Sequence, residues 1–207
     1  MKHKSKWKEI LDKYILLKSL YIECEETDKE LKTNLQPLNE FRAALDHIFR
    51  IIDNEITADD EQVFDREYDK LCSHIRRAFF DVCDHLSINY RDKIISTLER
   101  YSGETIRAAL PDYYSKIRPA VEEISIRISK YRMRKGAEPD ENIFDAYYND
   151  VVALRNYSIT VLKASASLSE LHGKEETEKK KIKLFNLLSI AVGVVGIIVG
   201  ILVGILT

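Results

Sequence analysis

Apolar residues recur at three- and four-residue steps along most of the chain, which is the period of an amphipathic α-helix. The first stripe predicts a helix over about residues 5–32, and Asn34 with Pro37 marks the start of a second. Asp59 or Asp60 is expected to cap a third helix. The predicted core face of the second helix comprises Leu38, Phe41, Leu45, Ile48, Phe49, Ile52 and Ile56.

The same period continues through the second half of the chain. A shorter fourth helix is predicted over about residues 89–101, and Pro111 and Pro119 then separate a short helical piece from a fifth helix. Gly136 is expected to close that helix, and the last one starts near Asp140. It is predicted to continue to the C-terminus as one rod of about 65 residues, roughly 100 Å long. The pattern therefore predicts an all-α fold, an up-and-down bundle of five or six helices.

The chain ends in an uncharged, mainly apolar run from Leu184 to Leu206. As a helix, these residues would extend about 35 Å, enough to cross a hydrocarbon core of about 30 Å. The alternative is a buried core helix, which would usually present one polar face. The run therefore predicts a C-terminal single-pass transmembrane helix. The expected domains are a helical bundle over 1–171, a charged juxtamembrane segment over 172–183 and the transmembrane helix over 184–207.

Four lysines precede this run: Lys179, Lys180, Lys181 and Lys183. Positive charge beside a membrane span marks its cytoplasmic side, and these side chains are expected to contact lipid headgroups. Residues 1–8 are basic but no apolar stretch follows them, so they do not resemble a signal peptide. The expected localisation is the cell inner membrane, with the N-terminal domain in the cytoplasm.

Small residues form a stripe along the predicted span: Ser189, Gly193, Gly196, Gly200 and Gly204. Such residues allow two helix backbones to approach closely in lipid, which predicts self-association through this helix. The alternative is that glycine is simply common in membrane helices.

Composition narrows the functional classes. The net charge of −2 argues against a general nucleic-acid binder. The three cysteines form no C-x-x-C pair and are expected to be reduced thiols. No glycine-rich phosphate loop, zinc-type Cys/His spacing or nucleophile elbow is present, so neither a metal nor a small-molecule cofactor is expected.

Polar side chains form a ridge beside the apolar face of the second and third helices. The ridge residues are Asp46, Arg50, His74, Arg77 and Asp81. Next to them, Arg42 and His47 have the spacing R-x4-H. One interpretation is catalytic; the other is a structural polar ridge, buried between helices or between subunits.

The R-x4-H spacing, with segments 41–50 and 74–81, resembles the HEPN ribonucleases and related helical-bundle proteins of bacterial defence systems. In that family the resemblance would make His47 the proton-transfer group and Arg42 the stabiliser of phosphorane charge. RNA cleavage needs such an acid or base near neutrality and a cation at the transition state. On one helix His47 lies about 140° from Arg42, so a shared site would need a second subunit.

Two functional hypotheses follow. In the first, the chain is a tail-anchored effector of antiphage type, whose bundle oligomerises and whose C-terminal helices cluster to perturb or scaffold the membrane. The alternative is a membrane-tethered HEPN-like ribonuclease that needs no metal. A third hypothesis is a tether whose bundle recruits another protein. The expected partners are membrane lipid and further copies of the chain, with a protein or RNA as additional candidates.

Overall fold

The computed structural model describes residues 2–28, 34–133 and 141–206, with residues 141–142 and 198–206 described by their backbone alone. The described residues form α-helices joined by short turns, which confirms the all-α prediction. Seven α-helices are present among them, six before the C-terminal helix. They are α1 (Lys4–Thr27), α2 (Leu35–Thr57), α3 (Glu61–Leu98), α4 (Gly103–Ala109), α5 (Arg118–Met133), α6 (Glu141–Lys163) and α7 (Ser165–Leu206), with a π-helical turn at Tyr113–Ile117.

Helix α3 is the centre of the bundle and packs against α1, α2, α5 and α6. It runs without a break through the region where a separate fourth helix was predicted, so that prediction is wrong. The polar residues there do not interrupt it, since Ser87 is buried and its hydroxyl donates to the carbonyl of Cys83. The predicted starts are confirmed: the Asn34 side chain caps α2, and the Asp60 carboxylate accepts from two amides at the start of α3.

Two apolar clusters hold the bundle together. The larger joins α1, α2, α3, α5 and α6, and in it Phe79 stacks on Phe144 with ring centroids 3.6 Å apart. The smaller joins the end of α3 to α4 and to the junction of α6 and α7, with Ile94, Tyr101 and Leu168 among its buried members. Burial of this apolar surface is the main source of stability.

The predicted rod is divided at a single turn residue, Ala164, which lies between α6 and α7. The Ala164 amide donates to the carbonyls of both Thr160 and Val161, and the Leu168 amide donates to the Ala164 carbonyl across the division. The start of α7 then packs on α4 and the preceding turn. The Glu175 carboxylate accepts from the hydroxyls of Ser102 and Thr105, each at 2.7 Å.

The prediction of a C-terminal single-pass transmembrane helix is corrected by the structure. Among the described residues, no helix combines the length and the apolarity needed to cross a membrane. The segment of α7 just before residue 184 carries the four lysines and stays helical and exposed.

The predicted core face of α2 is also corrected, because most of it faces outward. Leu38, Leu45, Phe49, Ile52 and Ile56 are exposed, with Phe49 at 60% and Ile56 at 78%. The residues that α2 buries are Pro37, Ala44, His47, Ile51 and Asn54. Helix α2 is therefore rotated so that much of its polar face lies inside the bundle and its most apolar face lies outside.

Two adjacent isoleucines of α3 test the placement of the smaller apolar cluster. Ile94 is 2% exposed within that cluster, whereas Ile95, the next residue of the helix, is 56% exposed. Ile94→Ala should lower the free energy of unfolding by about 2–5 kcal/mol, because it removes buried methyl groups and leaves a cavity. Ile95→Ala is the matched control and should change it by no more than about 0.5 kcal/mol. Urea unfolding followed by circular dichroism measures both, and equal effects would contradict this packing.

Candidate functional site

The candidate site is a ladder of three polar contacts between the antiparallel helices α2 and α3. Each contact follows the previous one by seven residues on both helices, so all three lie on facing sides. The contacts, called the polar ladder here, are Asn54 with Asp60, His47 with Glu67, and Glu40 with His74.

The middle contact is the most deeply buried. His47 is 8% exposed, the Glu67 side chain is 4% exposed, and Nδ1 of the imidazole lies 2.7 Å from Oε2 of the carboxylate. Arg66 donates to the other carboxylate oxygen at 3.0 Å, and Lys70 donates to it at 3.2 Å. Arg50 adds an ion pair at 3.6 Å. A carboxylate held inside the bundle is thus surrounded by donors.

These donors decide the protonation state of Glu67. Burial alone raises the pKa of this carboxyl, but hydrogen bonds from His47, Arg66 and Lys70 outweigh burial and lower the pKa to about 2. Glu67 is therefore ionised at neutral pH, and its charge is compensated at the α2–α3 interface.

The contact nearest the start of α2 also joins a glutamate to a histidine and an arginine. Glu40 Oε2 lies 2.7 Å from Nδ1 of His74 and accepts from Nε of Arg77 at 2.9 Å. Burial raises the pKa of Glu40, but the hydrogen bonds from His74 and Arg77 outweigh burial, so the pKa of Glu40 lies below its ordinary value. The rings of His47 and His74 stack with centroids 5.2 Å apart, which joins this contact to the middle one.

Helix α2 closes the ladder at its C-terminal end through the Asn54 side chain. Its amide nitrogen donates to the carbonyl of Asp60 at 2.9 Å, and its amide oxygen accepts from the Asp60 amide at 3.4 Å. The same Asp60 carboxylate caps α3. The ladder is therefore anchored at the turn that joins the two helices.

The structure brings several residues of the predicted polar ridge together. Arg50, His74 and Arg77 contact the ladder, whereas Asp46 is exposed on α2 and Asp81 is buried on α3. The predicted catalytic residues are not brought together within one chain. His47 faces α3 inside the ladder, whereas Arg42 is exposed and lines a groove between α1 and α2.

Sequence reasoning missed Glu40, Asn54 and Glu67, which complete the ladder. The signal was available in the spacing. On α2 the polar residues Glu40, His47 and Asn54 are seven apart, and on α3 Glu67 and His74 repeat the interval. A seven-residue interval places side chains on one side of a helix. The apolar stripe of α2 predicts the wrong buried face, because this second stripe of polar residues is the one that faces α3.

The polar ladder fixes which side of α2 faces α3. The His47 imidazole is covered, and its Nδ1 is held by a carboxylate. A general acid or base must lie within hydrogen-bond distance of a substrate proton, and the burial of the His47 ring keeps a substrate from reaching it. Among the described residues, no group of three His, Cys, Asp or Glu side chains is arranged to hold a metal ion.

An apolar groove of about 680 Å³ lies between α1 and α2, on the outer side of the bundle. Arg42 is its one charged lining residue among those described; the apolar lining includes Trp7, Leu11, Leu45 and Ile48. The groove continues into the exposed apolar face of α2. It is thus part of a larger apolar surface.

The C-terminal half of α7 supplies the other exposed region. Lys179, Lys180, Lys181 and Lys183 are all exposed. Of the predicted small-residue stripe, Ser189, Gly193 and Gly196 are exposed, and no atom lies within 4 Å of a Cβ placed at either glycine. Gly200 and Gly204 lie outside the residues whose side chains are described.

No protein-family model, curated protein or solved structure matches this chain. The resemblance to HEPN ribonucleases therefore stays a prediction.

The lowered pKa of Glu67 predicts how the ladder responds to acid. Because the folded-state pKa lies below the ordinary value of about 4.3, the ionised carboxylate stabilises the fold above that pH, and this contribution is lost as the pH falls towards 2. Glu67→Gln should cost roughly 1–3 kcal/mol at pH 7, since the buried His47 imidazole and the partly exposed Arg66 and Lys70 lose a charged acceptor. The variant should also lose less stability than the native chain between pH 5 and pH 3.

Urea unfolding at several pH values measures this response. Glu99→Gln is the control, because Glu99 is exposed at the end of the same helix and should leave the pH profile unchanged. A Glu67→Gln chain with the same stability and acid response as the native chain would contradict the role of the ladder.

Proposed function

We propose that this chain is a lipid-associated helical protein, in which the exposed apolar end of α7 attaches the bundle to an anionic lipid surface. The single observation that carries the proposal is the exposure of every described side chain from Leu184 to Ile197, immediately after the exposed lysines. This segment makes no contact in the larger or smaller apolar cluster of the bundle.

The energetics favour lipid as the environment of this segment. Large apolar side chains such as Phe185, Leu187 and Ile190 are each more than half exposed. Removing apolar surface from water yields about 25 cal/mol per Å², so covering several such side chains yields several kcal/mol. Each lysine close to an anionic surface adds about 1 kcal/mol. The two contributions act on adjacent turns of one helix, which is the arrangement of a lipid-surface anchor.

An effector of the antiphage type remains a proposal within this framework. Such a protein would use α7 to hold its bundle at the membrane that it perturbs. The ribonuclease hypothesis has less support, because Arg42 and His47 lie on different faces of α2 and the imidazole is buried. We therefore favour lipid association over RNA cleavage as the primary activity.

Flotation with vesicles tests the proposal. The full chain, diluted from detergent into vesicles that contain phosphatidylserine, should float with the lipid. Leu187→Lys combined with Val194→Lys should abolish flotation, because both side chains are exposed in the apolar segment. Lys180→Glu combined with Lys181→Glu should weaken binding to anionic vesicles by at least about tenfold and binding to neutral vesicles much less.

The matched control places two lysines on exposed apolar positions elsewhere. Ile95→Lys combined with Ile126→Lys changes residues that are similarly exposed on α3 and α5, and this variant should float as the native chain does. A native chain that stays with the unbound protein would overturn the proposal. So would a Leu187→Lys, Val194→Lys chain that floats normally.

A further inference from the structure

The outward face of α2 carries a complete heptad pattern. Its positions alternate at intervals of three and four residues through the length of the helix, as in the contact seam of a coiled coil. The residues of this face, called the α2 seam here, are Leu35, Leu38, Arg42, Leu45, Phe49, Ile52 and Ile56. Every one of them is exposed, and Arg42 alone is polar.

The polar ladder accounts for this exposure. Glu40, His47 and Asn54 occupy the side of α2 opposite to the seam and fix that side against α3. Turning the seam inward would break the buried contact of His47 with Glu67. In the single chain, the α2 seam is therefore exposed to water, although its pattern is suited to contact with another helix.

We propose that the α2 seam packs against the same seam of a second copy of this chain, with the two α2 helices antiparallel. The exposed side chain of Leu11 on α1, which shares the groove with Leu45, extends the surface. At roughly 200 Å² for a large apolar side chain, the exposed fractions amount to about 760 Å² per chain. Stable interfaces take about 800 Å² from each partner, so the area matches a dimer.

Charge complementarity selects the antiparallel orientation. In the antiparallel register in which Leu45 meets Phe49 of the partner subunit, six of the seven seam positions are paired, and Arg42 lies beside Ile52 and Asp53 of the partner subunit. Asp53 is exposed on the acidic edge of the seam, so it is available to pair with an arginine. A parallel arrangement in register would instead place the two Arg42 side chains together in one layer, and like charges there oppose pairing.

The dimer does not depend on α7. The α2 seam and the apolar end of α7 belong to different helices, so each is disrupted by different substitutions. The pairing also leaves His47 on the inner side of α2, facing its own Glu67, and so does not assemble an Arg42–His47 site across the interface.

The test is the mass of the full-length chain in detergent micelles, measured by analytical ultracentrifugation over a range of concentrations. The native chain should form a dimer. Phe49→Asp should raise the dimer dissociation constant by about a hundredfold or more, because each copy loses a central anchor. Ile126→Asp is the matched control: Ile126 is 58% exposed on α5, and this variant should dimerise as the native chain does.

Folding is checked separately from pairing. Phe49 is largely exposed in the single chain, so Phe49→Asp should retain the native helical circular dichroism spectrum. A native chain that is monomeric throughout would overturn the proposal and assign the seam to a different protein. A Phe49→Asp chain that dimerises with native affinity would also overturn it, and would assign the association to another surface such as α7.

The orientation is tested by exchanging charges. Arg42→Asp and Asp53→Arg should each weaken the dimer by about tenfold, and the chain that carries both substitutions should regain most of the lost affinity. In a parallel dimer the two substitutions would not compensate each other. Affinity that falls further in the double variant would therefore overturn the antiparallel arrangement.

Discussion

The buried contact between His47 and Glu67 is the constraint on which the arrangement of this chain depends. A carboxylate inside a helical bundle is stable only when donors surround it, and Glu67 has donors from both α2 and α3. Contacts at the neighbouring heptad positions, Glu40 with His74 and Asn54 with Asp60, lock the same rotation of α2. One polar ladder therefore sets which side of α2 enters the bundle.

The orientation of α2 has a direct consequence for the surface. An amphipathic helix normally turns its apolar stripe towards the core. Here the polar ladder occupies the inner side, and the α2 seam stays outside together with the groove beside α1. The second exposed apolar region, on α7, lies at the other end of the chain sequence and follows a cluster of lysines. The two surfaces are suited to different environments, a second copy of the bundle and a lipid surface.

The sequence predicted the elements of the fold better than their orientation. Asn34 and Asp60 were recognisable as helix starts because capping depends on neighbouring residues. The division at Ala164 was not recognisable, since no proline or glycine marks it, and Val161 before it and Leu168 after it are both buried in the smaller cluster. The length of α3 was misjudged, because a separate helix was predicted to start near residue 89, whereas α3 continues to Leu98 and the Ser87 side chain bonds back to its own helix.

The candidate site shows a similar limit. His47, Arg50, His74 and Arg77 could be found from their local spacing, and the structure brings them to one interface. Glu67 and Glu40 were missed because their role depends on which residues face them across two helices. The rotation of α2 was mispredicted for the same reason: hydrophobic periodicity identifies two faces of a helix, but the contacts of the polar face decide which one is buried.

A double-mutant cycle on His47 and Glu67 tests the central claim most directly. The free energy of unfolding is measured by urea denaturation at pH 7 for His47→Leu, for Glu67→Leu and for the chain with both substitutions. If the pair orients α2, each single change takes from the remaining residue its buried partner across the two helices, and the coupling energy should be about 1 kcal/mol or more, with the double variant less destabilised than the sum of the single variants. Strictly additive effects, with no coupling between the two positions, would contradict the account.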